Sequence, residues 1–579
     1  MRQSSSVRAY QIFVVCCILA FLLPYRTYPY SAFYNDYVVL IGVLVALAAL
    51  TLQRARATFW IPATISLPLG IAFVIFIQAA TERMLIAWDA VIPIGYLIAA
   101  AAAMVLGANF HDRERSNQSV TSGDRYLGIV LAFVIAGVMS SFFALLQYLK
   151  LENALGDLVI GIGNDGQTAV RPYANLGQPN QLALLICWSI AGTWWLFQRR
   201  MIQATGAMLI TVVLLISLAI TQAKIAWLIL PALLVVSEVM NRKAETRRIP
   251  RWVLSAFAAL FVVLVFLLPL MAELSGTMVE TPAQRMGSNR IRLVLWQQAL
   301  WISMQSPWTG VGWLGFPVNQ LIAARHFGTA EYATHAHNIV ANFAAELGWP
   351  ITLVIVASAI WWFVGHFVKR KWDVGTAFVL MVLVATFIHS LLEFPLWYAY
   401  ILIPVSFLVG LVGQQPGQEK GFTLSKNYVF VLVLTGAAAM AMIANDYRRV
   451  VLGFRVLVME RIGSGENWKI PEKPSWTIFP EYYDYFRFAD MKAAKGMSKD
   501  QISFMEGVEK RFGYAPVLMR MASVYGMNGR PDDAVATMVT IQHLFALRYA
   551  EAYKAWQSMA TDDPITIGPI FRRLPAPDF

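Results

Sequence analysis

The stretch "YATHAHNIVANFAAELGWP", residues 332–350, sets His335 and His337 one residue apart, with Asn338 next and a lone acid, Glu346, further along a helix-like run. Three readings suit it. A histidine titrating near neutrality can take a proton from a hydroxyl. His-x-His with a carboxylate can ligate Zn or Cu, although residues two apart on a helix diverge in direction. The plain structural reading is a helix-start histidine bonded to backbone, with Thr334 or Asn338 helping to cap.

Four further stretches carry groups of matching chemistry. "TQAK" presents Lys224 at a turn between apolar runs, either a cation for an anionic substrate or a lysine reaching headgroup level. "SNRIRLVLWQQAL" opens an amphipathic helix with Arg290 and Arg292. Their guanidinium forks suit a diphosphate; the bland alternative is a solvated or headgroup-facing helix. "HSLLEFPLWYAY" spaces His389 and Glu393 four apart, on one face if helical. That gives an orienting or acceptor-binding carboxylate, or an internal ion pair or cap before Pro395. "RPYANLGQPNQLALL" offers Arg171 and the amides of Asn175, Gln178 and Asn180 as substrate contacts. It also reads as turn chemistry around Gly177 and Pro179, with Asn180 capping the next helix. There is no glycine-rich nucleotide loop, Walker sequence or cysteine-rich metal motif, so nothing points to ATP-driven chemistry.

The elements that must position these groups are membrane helices. The chain is 58% hydrophobic and 14% charged, with mean hydropathy +0.56, outside the range of soluble globular domains. Apolar runs near bilayer-spanning length recur, and the short alternating segments of a β-barrel are absent. About thirteen spans are expected, at 10–24, 37–53, 59–80, 85–108, 126–149, 180–197, 203–221, 225–240, 252–272, 338–366, 374–394, 397–413 and 427–445. The first is a signal anchor, because "LLPYRTYPY" follows it rather than a small-residue cleavage site. Cys16, Cys17 and Cys187 fall in apolar runs, and no disulfide is expected.

The net charge of +12 is a topology signal, not a nucleic-acid signal. Basic residues gather in alternate loops: Arg2 and Arg8; Arg54 and Arg56; Arg113, Arg115 and Arg125; Arg199 and Arg200; Arg242, Lys243, Arg247, Arg248 and Arg251; Lys369, Arg370 and Lys371; Lys420 and Lys426. The positive-inside rule puts these in the cytoplasm. All five motifs then fall at the opposite face. Two long segments lie there too, a loop at 273–336 and the tail at 446–579. The tail contains a helical hairpin of tetratricopeptide character, turning near Asn528 and Gly529. The expected fold is therefore all-α: a polytopic helical membrane domain over 1–445 with a long periplasmic loop, then a small soluble helical periplasmic domain.

Cations, histidines, a carboxylate and amides at one face fit a membrane-borne anion such as a lipid-linked diphosphate. Its activated leaving group accounts for the missing nucleotide motif. On "RPYANLGQPNQLALL", "RIRLVLWQQALWISMQSPWTGVGWLGF", "HAHNIVANFAAELGWP" and "HSLLEFPLWYAY" the chain resembles the O-antigen ligase/polymerase superfamily of bacterial inner membranes. Within it, the chain resembles the PglL-type protein O-oligosaccharyltransferases, and the tail from "NDYRRV" onward resembles their carboxy-terminal domain.

The resemblance implies en bloc transfer of a glycan from undecaprenyl diphosphate to Ser or Thr hydroxyls of a periplasmic protein such as a pilin. It implies no cofactor, no metal and no nucleic-acid partner. The family's essential histidine precedes the Asn, which is His337 here and not His335. A family arginine four residues before a tryptophan maps to Arg292, ahead of Trp296. A family arginine at the "TQAK" turn maps to Lys224, which keeps the charge and loses the fork. Glu393 and His389 would support the acceptor or His337. Arg171, Asn175, Gln178, Asn180, Arg290, His335 and Asn338 would line the substrate site. The competing assignments are an O-antigen ligase acting on lipid A core, an O-antigen polymerase, and, outside the class, a membrane transporter or flippase. Charges gathered at one face and the lack of an internal repeat weigh against the last.

Overall fold

The computed structural model describes residues 5–54, 56–110, 124–162, 171–243, 246–274, 289–327, 330–369, 372–413, 420–461 and 469–577. Arg2, Arg113, Arg115, Arg370, Lys371 and the stretch 275–288 of the long loop lie outside the described residues, as does the side chain of Arg290.

Apolar runs must satisfy their backbone polar groups internally, so they fold as helices. Each expected span contains one. Among the described residues, seven helices are long and apolar enough to cross a membrane: Phe33–Thr51, Ala63–Ala80, Ala87–Asn109, Arg125–Tyr148, Arg251–Ala272, Trp349–Val368 and Lys426–Met459. Shorter apolar helices cover Arg8–Leu22, Ala204–Ile220, Ala226–Asn241, Val374–Ser390 and Ala399–Val412.

Two features depart from the sequence expectation. The span expected at 338–366 is two helices, Ile339–Leu347 and Trp349–Phe363. They break at Gly348, where φ is 83° and an added Cβ would lie 2.7 Å from the backbone of Trp308 and Thr309. The first piece, 9 residues, is only about 14 Å long against a hydrocarbon core of about 30 Å. It is not a span but a short helix carrying the histidine turn. The fold also includes a strand pair: Thr58–Pro62 runs antiparallel to Gly421–Ser425, with Thr58 opposite Ser425. Asn109 fastens it, accepting from Trp60 N at 2.8 Å and donating to Trp60 O at 2.6 Å.

The described residues form two compact units. The first comprises residues 1–72, 95–287 and 357–441. Its helices pack closely where residues are small, as membrane helices do. Gly107 and Gly410 face each other: a Cβ on Gly107 would strike the Phe407 carbonyl, and one on Gly410 the Met104 carbonyl. Trp188, Trp195, Phe133 and Tyr400 fill the core, with Phe21 edge-on to Trp188 and Tyr400 at 6.3 and 5.6 Å.

The second unit comprises residues 73–94, 288–356 and 442–579. Here the tail packs with the long loop. Tyr332 lies 5.7 Å from the Tyr514 ring and 5.6 Å from that of Phe545. Arg325 Nε donates to Thr540 Oγ1 at 3.2 Å, and Ala330 N donates to His543 O at 3.0 Å. Arg511 pairs with Asp89 at 3.0 Å. Helices Ala515–Met527 and Pro531–Leu544 form the hairpin around Asn528 and Gly529, and Pro531 begins the second where no backbone donor is needed.

The helix crossing at Gly410 gives a test. Gly410→Val should lower the thermal unfolding midpoint of the purified protein in detergent, at an overpacking cost of about 1–3 kcal/mol. Gly95→Ala, on the helix Val91–Asn109 with nothing within 4 Å of the added Cβ, should leave it unchanged.

Candidate functional site

In the second unit the histidine turn is built by the helix it precedes. Asn338 is the cap: its Oδ1 accepts from Val340 N at 3.0 Å and Ala341 N at 3.1 Å. His337, the residue before the cap, takes φ 51°, a left-handed conformation uncommon outside glycine. The rings of His335 and His337 stack at 4.8 Å. The two are not equivalent. His335 is buried and bonded through Nδ1 to Thr334 Oγ1 at 2.9 Å, while His337 is half-buried. Burial, then the charge of His337, holds His335 well below the ordinary histidine value, so it is neutral. Among the described residues no group of three His, Cys, Asp or Glu comes together as a metal-ligand set.

Glu346 anchors this turn. Its Oε2 accepts from Asn342 Nδ2 at 3.1 Å, and Asn342 Oδ1 in turn accepts from Ala336 N, between the two histidines, at 3.0 Å. Its Oε1 accepts from Phe316 N at 3.2 Å. Gln78 completes the assembly, donating to Glu346 O at 2.8 Å and accepting from Trp313 N at 3.0 Å. The "GVGWLGF" loop is thereby clamped onto the end of helix Ile339–Leu347. The approach to the turn is held by Gln320, which donates to Gln298 Oε1 and Glu331 O, both at 3.0 Å, and accepts from Ala333 N at 2.9 Å. Arg292, half-buried, sits on helix Asn289–Gln305, which packs against helix Ile339–Leu347.

In the first unit, Asn180 and Glu393 meet directly: Nδ2 donates to Oε1 at 2.9 Å, both residues buried. Asn180 does not cap. Gln178 occupies the cap position and Pro179 opens the helix Pro179–Gln198. Glu393 also departs from expectation. The helix carrying His389 ends at Ser390, so Glu393 lies in the turn beyond it, its N–H donating to His389 O at 2.8 Å. His389 is fully buried.

Arg171 reaches the "TQAK" turn, donating through Nε and Nη2 to Thr221 O at 3.2 and 3.1 Å. Its fork thus holds the turn that presents half-buried Lys224. The side chain of Asn175, expected as a substrate contact, is bonded to loop backbone. It is fully buried, donating to Leu22 O at 2.7 Å and Leu158 O at 2.9 Å and accepting from Ile160 N at 3.0 Å. Arg26 closes on the same loop, donating to Asn175 O at 2.8 Å.

Sequence reasoning missed the amides that build these turns. Gln147 accepts from Ala174 N at 2.7 Å and donates to Ala174 O at 2.9 Å. Gln78 and Gln147 each stand inside an apolar run, and a lone amide at membrane depth was the available signal.

Burial pushes the Glu346 carboxyl from its ordinary range up to about 8, against the hydrogen bonds it accepts from Phe316, Leu314 and Asn342. The protonated form is therefore the one the fold favours. Its contribution to stability is full below the unfolded carboxyl's pKa and is lost as pH rises through about 8. Glu346→Gln should flatten the fall in unfolding midpoint between about pH 5 and 9, measured by thermal unfolding in detergent. His335 acts in the opposite sense. Its stabilisation is present above its unfolded pKa and lost as pH falls below it, so His335→Gln should flatten the acid limb.

The comparisons with known proteins cover the same motifs. Residues 172–197 match the family described as "Protein glycosylation ligase". Residues 209–356 match "O-Antigen ligase", and residues 377–560 match "Virulence factor membrane-bound polymerase, C-terminal". The chain is 25% identical over 494 residues to a "General O-oligosaccharyltransferase" of Acinetobacter baylyi, covering 84% of each chain. It is 27% identical over 405 residues to a "ComP-specific O-oligosaccharyltransferase" of the same organism, covering 68% of this chain and 69% of the relative. The motif order and these matches agree in supporting a PglL-type O-oligosaccharyltransferase of the O-antigen ligase superfamily.

Proposed function

We propose that this enzyme of O-linked protein glycosylation transfers a preassembled oligosaccharide from undecaprenyl diphosphate to Ser or Thr hydroxyls of periplasmic proteins such as pilins. It works in the bacterial inner membrane, with its basic loops in the cytoplasm and its reactive groups and tail in the periplasm. The observation that carries the reading is the contrast within the histidine turn. His335 is sealed and neutral, whereas His337 is half-buried on a reversal clamped from Asn338, Asn342 and Glu346.

In this reading Lys224 and Arg292 hold the diphosphate and stabilise the charge it gains as the sugar departs. The acceptor oxygen forms a bond to the anomeric carbon, the bond from that carbon to the phosphate oxygen breaks, and His337 takes the hydroxyl proton. Direct attack inverts the anomeric centre. Glu393, oriented by Asn180, supports the acceptor, and Gln178 with Arg290 completes the substrate contacts. The tail docks the protein acceptor. No step needs a metal or a cofactor.

The test is transfer from a lipid-diphosphate-linked glycan to a purified acceptor protein. His337→Ala should lower the rate by about 10²–10⁴-fold while the protein keeps its unfolding midpoint. Near-normal transfer would remove His337 from the mechanism, and full loss on adding a chelator would restore a metal. Lys224→Arg should retain transfer and Lys224→Ala should not. Mass spectrometry of periplasmic proteins with and without the enzyme should show the glycan on Ser or Thr. Glycan found only on lipid A core would overturn the protein acceptor.

A further inference from the structure

In the second unit, helix Asn289–Gln305 turns its apolar side outward. Gln298 and Ser303 are fully buried, whereas Leu293, Leu300 and Met304 are 56, 50 and 60% exposed. Steps of seven and four residues return to the same side of a helix, so these three form one stripe. Gln297 is exposed between them, and residues 293–308 contain no charge. A tail helix of the same unit has the opposite sense. Lys499–Arg511 exposes Lys499, Asp500, Gln501 and Lys510 and buries Met505 and Val508.

What covers this stripe follows from where it ends. Just past the helix, residues 307–309 are bonded to the ends of two membrane-length helices. Trp349 N, opening Trp349–Val368, donates to Pro307 O at 2.8 Å, and Gln78 Nε2, near the end of Ala63–Ala80, donates to Thr309 O at 3.0 Å. Near this junction both helices leave large apolar side chains exposed: Phe76 and Ile77 on one, Leu353 and Val354 on the other. The ends of spanning helices mark the boundary of the hydrocarbon layer. Trp308 stands at that level, 77% exposed, where indole rings gather at membrane surfaces. It follows Met304 by four residues and so continues the spacing of the stripe. The stripe therefore runs on from surfaces that face lipid.

We propose that helix Asn289–Gln305 lies in the plane of the membrane surface, with Leu293, Leu300, Met304 and Trp308 sunk into the lipid leaflet on the side of the histidine turn. A helix of this kind buries its apolar face about 5–10 Å into the boundary between headgroups and acyl chains. At that depth the Gln297 amide meets ester and headgroup oxygens. The contact is with acyl hydrocarbon, so it requires no particular headgroup. Because the helix packs against Ile339–Leu347, the leaflet sets the height of the histidine turn as well. Arg292, on the flank of the same helix, is held at the level of lipid phosphates, where a lipid-linked diphosphate presents its charge. That last consequence rests on the proposed function; the placement of the helix does not.

The test attaches a nitroxide to single cysteines in the full-length protein, with Cys16, Cys17 and Cys187 replaced by alanine, in vesicles of phosphatidylethanolamine and phosphatidylglycerol. Oxygen concentrates in hydrocarbon and a nickel chelate in water, so their relative effects on the label report its depth. Labels at Leu300→Cys and Met304→Cys should respond to oxygen over the chelate, at a depth of about 5–10 Å. They should match a label at Leu353→Cys on the span and differ from one at Asp500→Cys on the tail. Chelate access at 300 and 304 equal to that at 500 would overturn the proposal and leave the stripe facing water. Protection from both reagents would overturn it too, as the sign of a second copy of the chain seated on the stripe. Both positions are exposed, and either label answers if the other variant fails to fold. Glycan transfer is not measured, so a failure here is distinct from a failure of the His337 assignment.

Discussion

The buried carboxyl of Glu346 is the interaction on which the histidine turn depends. A carboxyl removed from water is tolerated only when its oxygens are hydrogen-bonded or it takes up a proton. Both hold here. Each oxygen accepts a bond, one from the Asn342 amide and one from the Phe316 backbone, and burial raises the pKa to about 8. Because Asn342 also receives the Ala336 N–H, the carboxyl sets the backbone between the two histidines at one remove. Because Phe316 follows the "GVGWLG" segment, the same carboxyl fixes that loop. One side chain thus ties two motifs that lie about thirty residues apart in sequence.

The first unit shows the same physics with amides and guanidinium groups. Water is absent at membrane depth, so a loop entering a bundle must have its backbone bonded by side chains. Gln147 bonds both backbone groups of Ala174, Asn175 gathers 22, 158 and 160, and Arg26 closes on the Asn175 carbonyl. Arg171 is used likewise, its fork bonded to the Thr221 carbonyl. In the proposed mechanism this gives a physical reason for a Lys at position 224 to serve as the cation. The planar fork that fixes the turn is supplied by Arg171, and the turn presents only a charge.

The helices were legible in the sequence because hydropathy alone dictates them, and the motifs were legible because polar groups in an apolar chain are conspicuous. Three things were not. The break at Gly348 was hidden because residues on both sides are apolar, and only the close approach of Trp308 and Thr309 reveals why the chain must turn there. Pairing of Thr58–Pro62 with Gly421–Ser425 joins segments more than 350 residues apart, beyond any local pattern. The sequence offers Asn175 as a substrate contact, whereas in the fold its side chain bonds three loop backbones, and a sequence displays an amide without displaying its partners. The neighbouring Asn180 looked the same and is differently placed, bonded to Glu393.

Of the seven non-glycine residues with positive φ among the described residues, four lie in these turns; Glu82, Lys150 and Arg200 lie elsewhere. Ala174, Gln222, Leu314 and His337 all adopt positive φ, and each lies in one of the sequence stretches that carry chemistry. A non-glycine residue in such a conformation costs about 1–3 kcal/mol and persists only where its surroundings over-determine it. Each site has that restraint. Gln147 bonds Ala174, and Arg171 bonds the Thr221 carbonyl just before Gln222. Glu346 bonds Phe316 just after Leu314, and Asn342 bonds Ala336 just before His337. A glycine at any of these positions would relieve the strain and also free the backbone to move. Retaining Gln222 and His337 at strained positions keeps the adjoining Lys224 turn and the imidazole in a single orientation. That is the condition for acting on a reacting group without reorganising at the moment of reaction. In the proposed mechanism, the buried amides and carboxyl therefore serve by positioning the charged groups they hold.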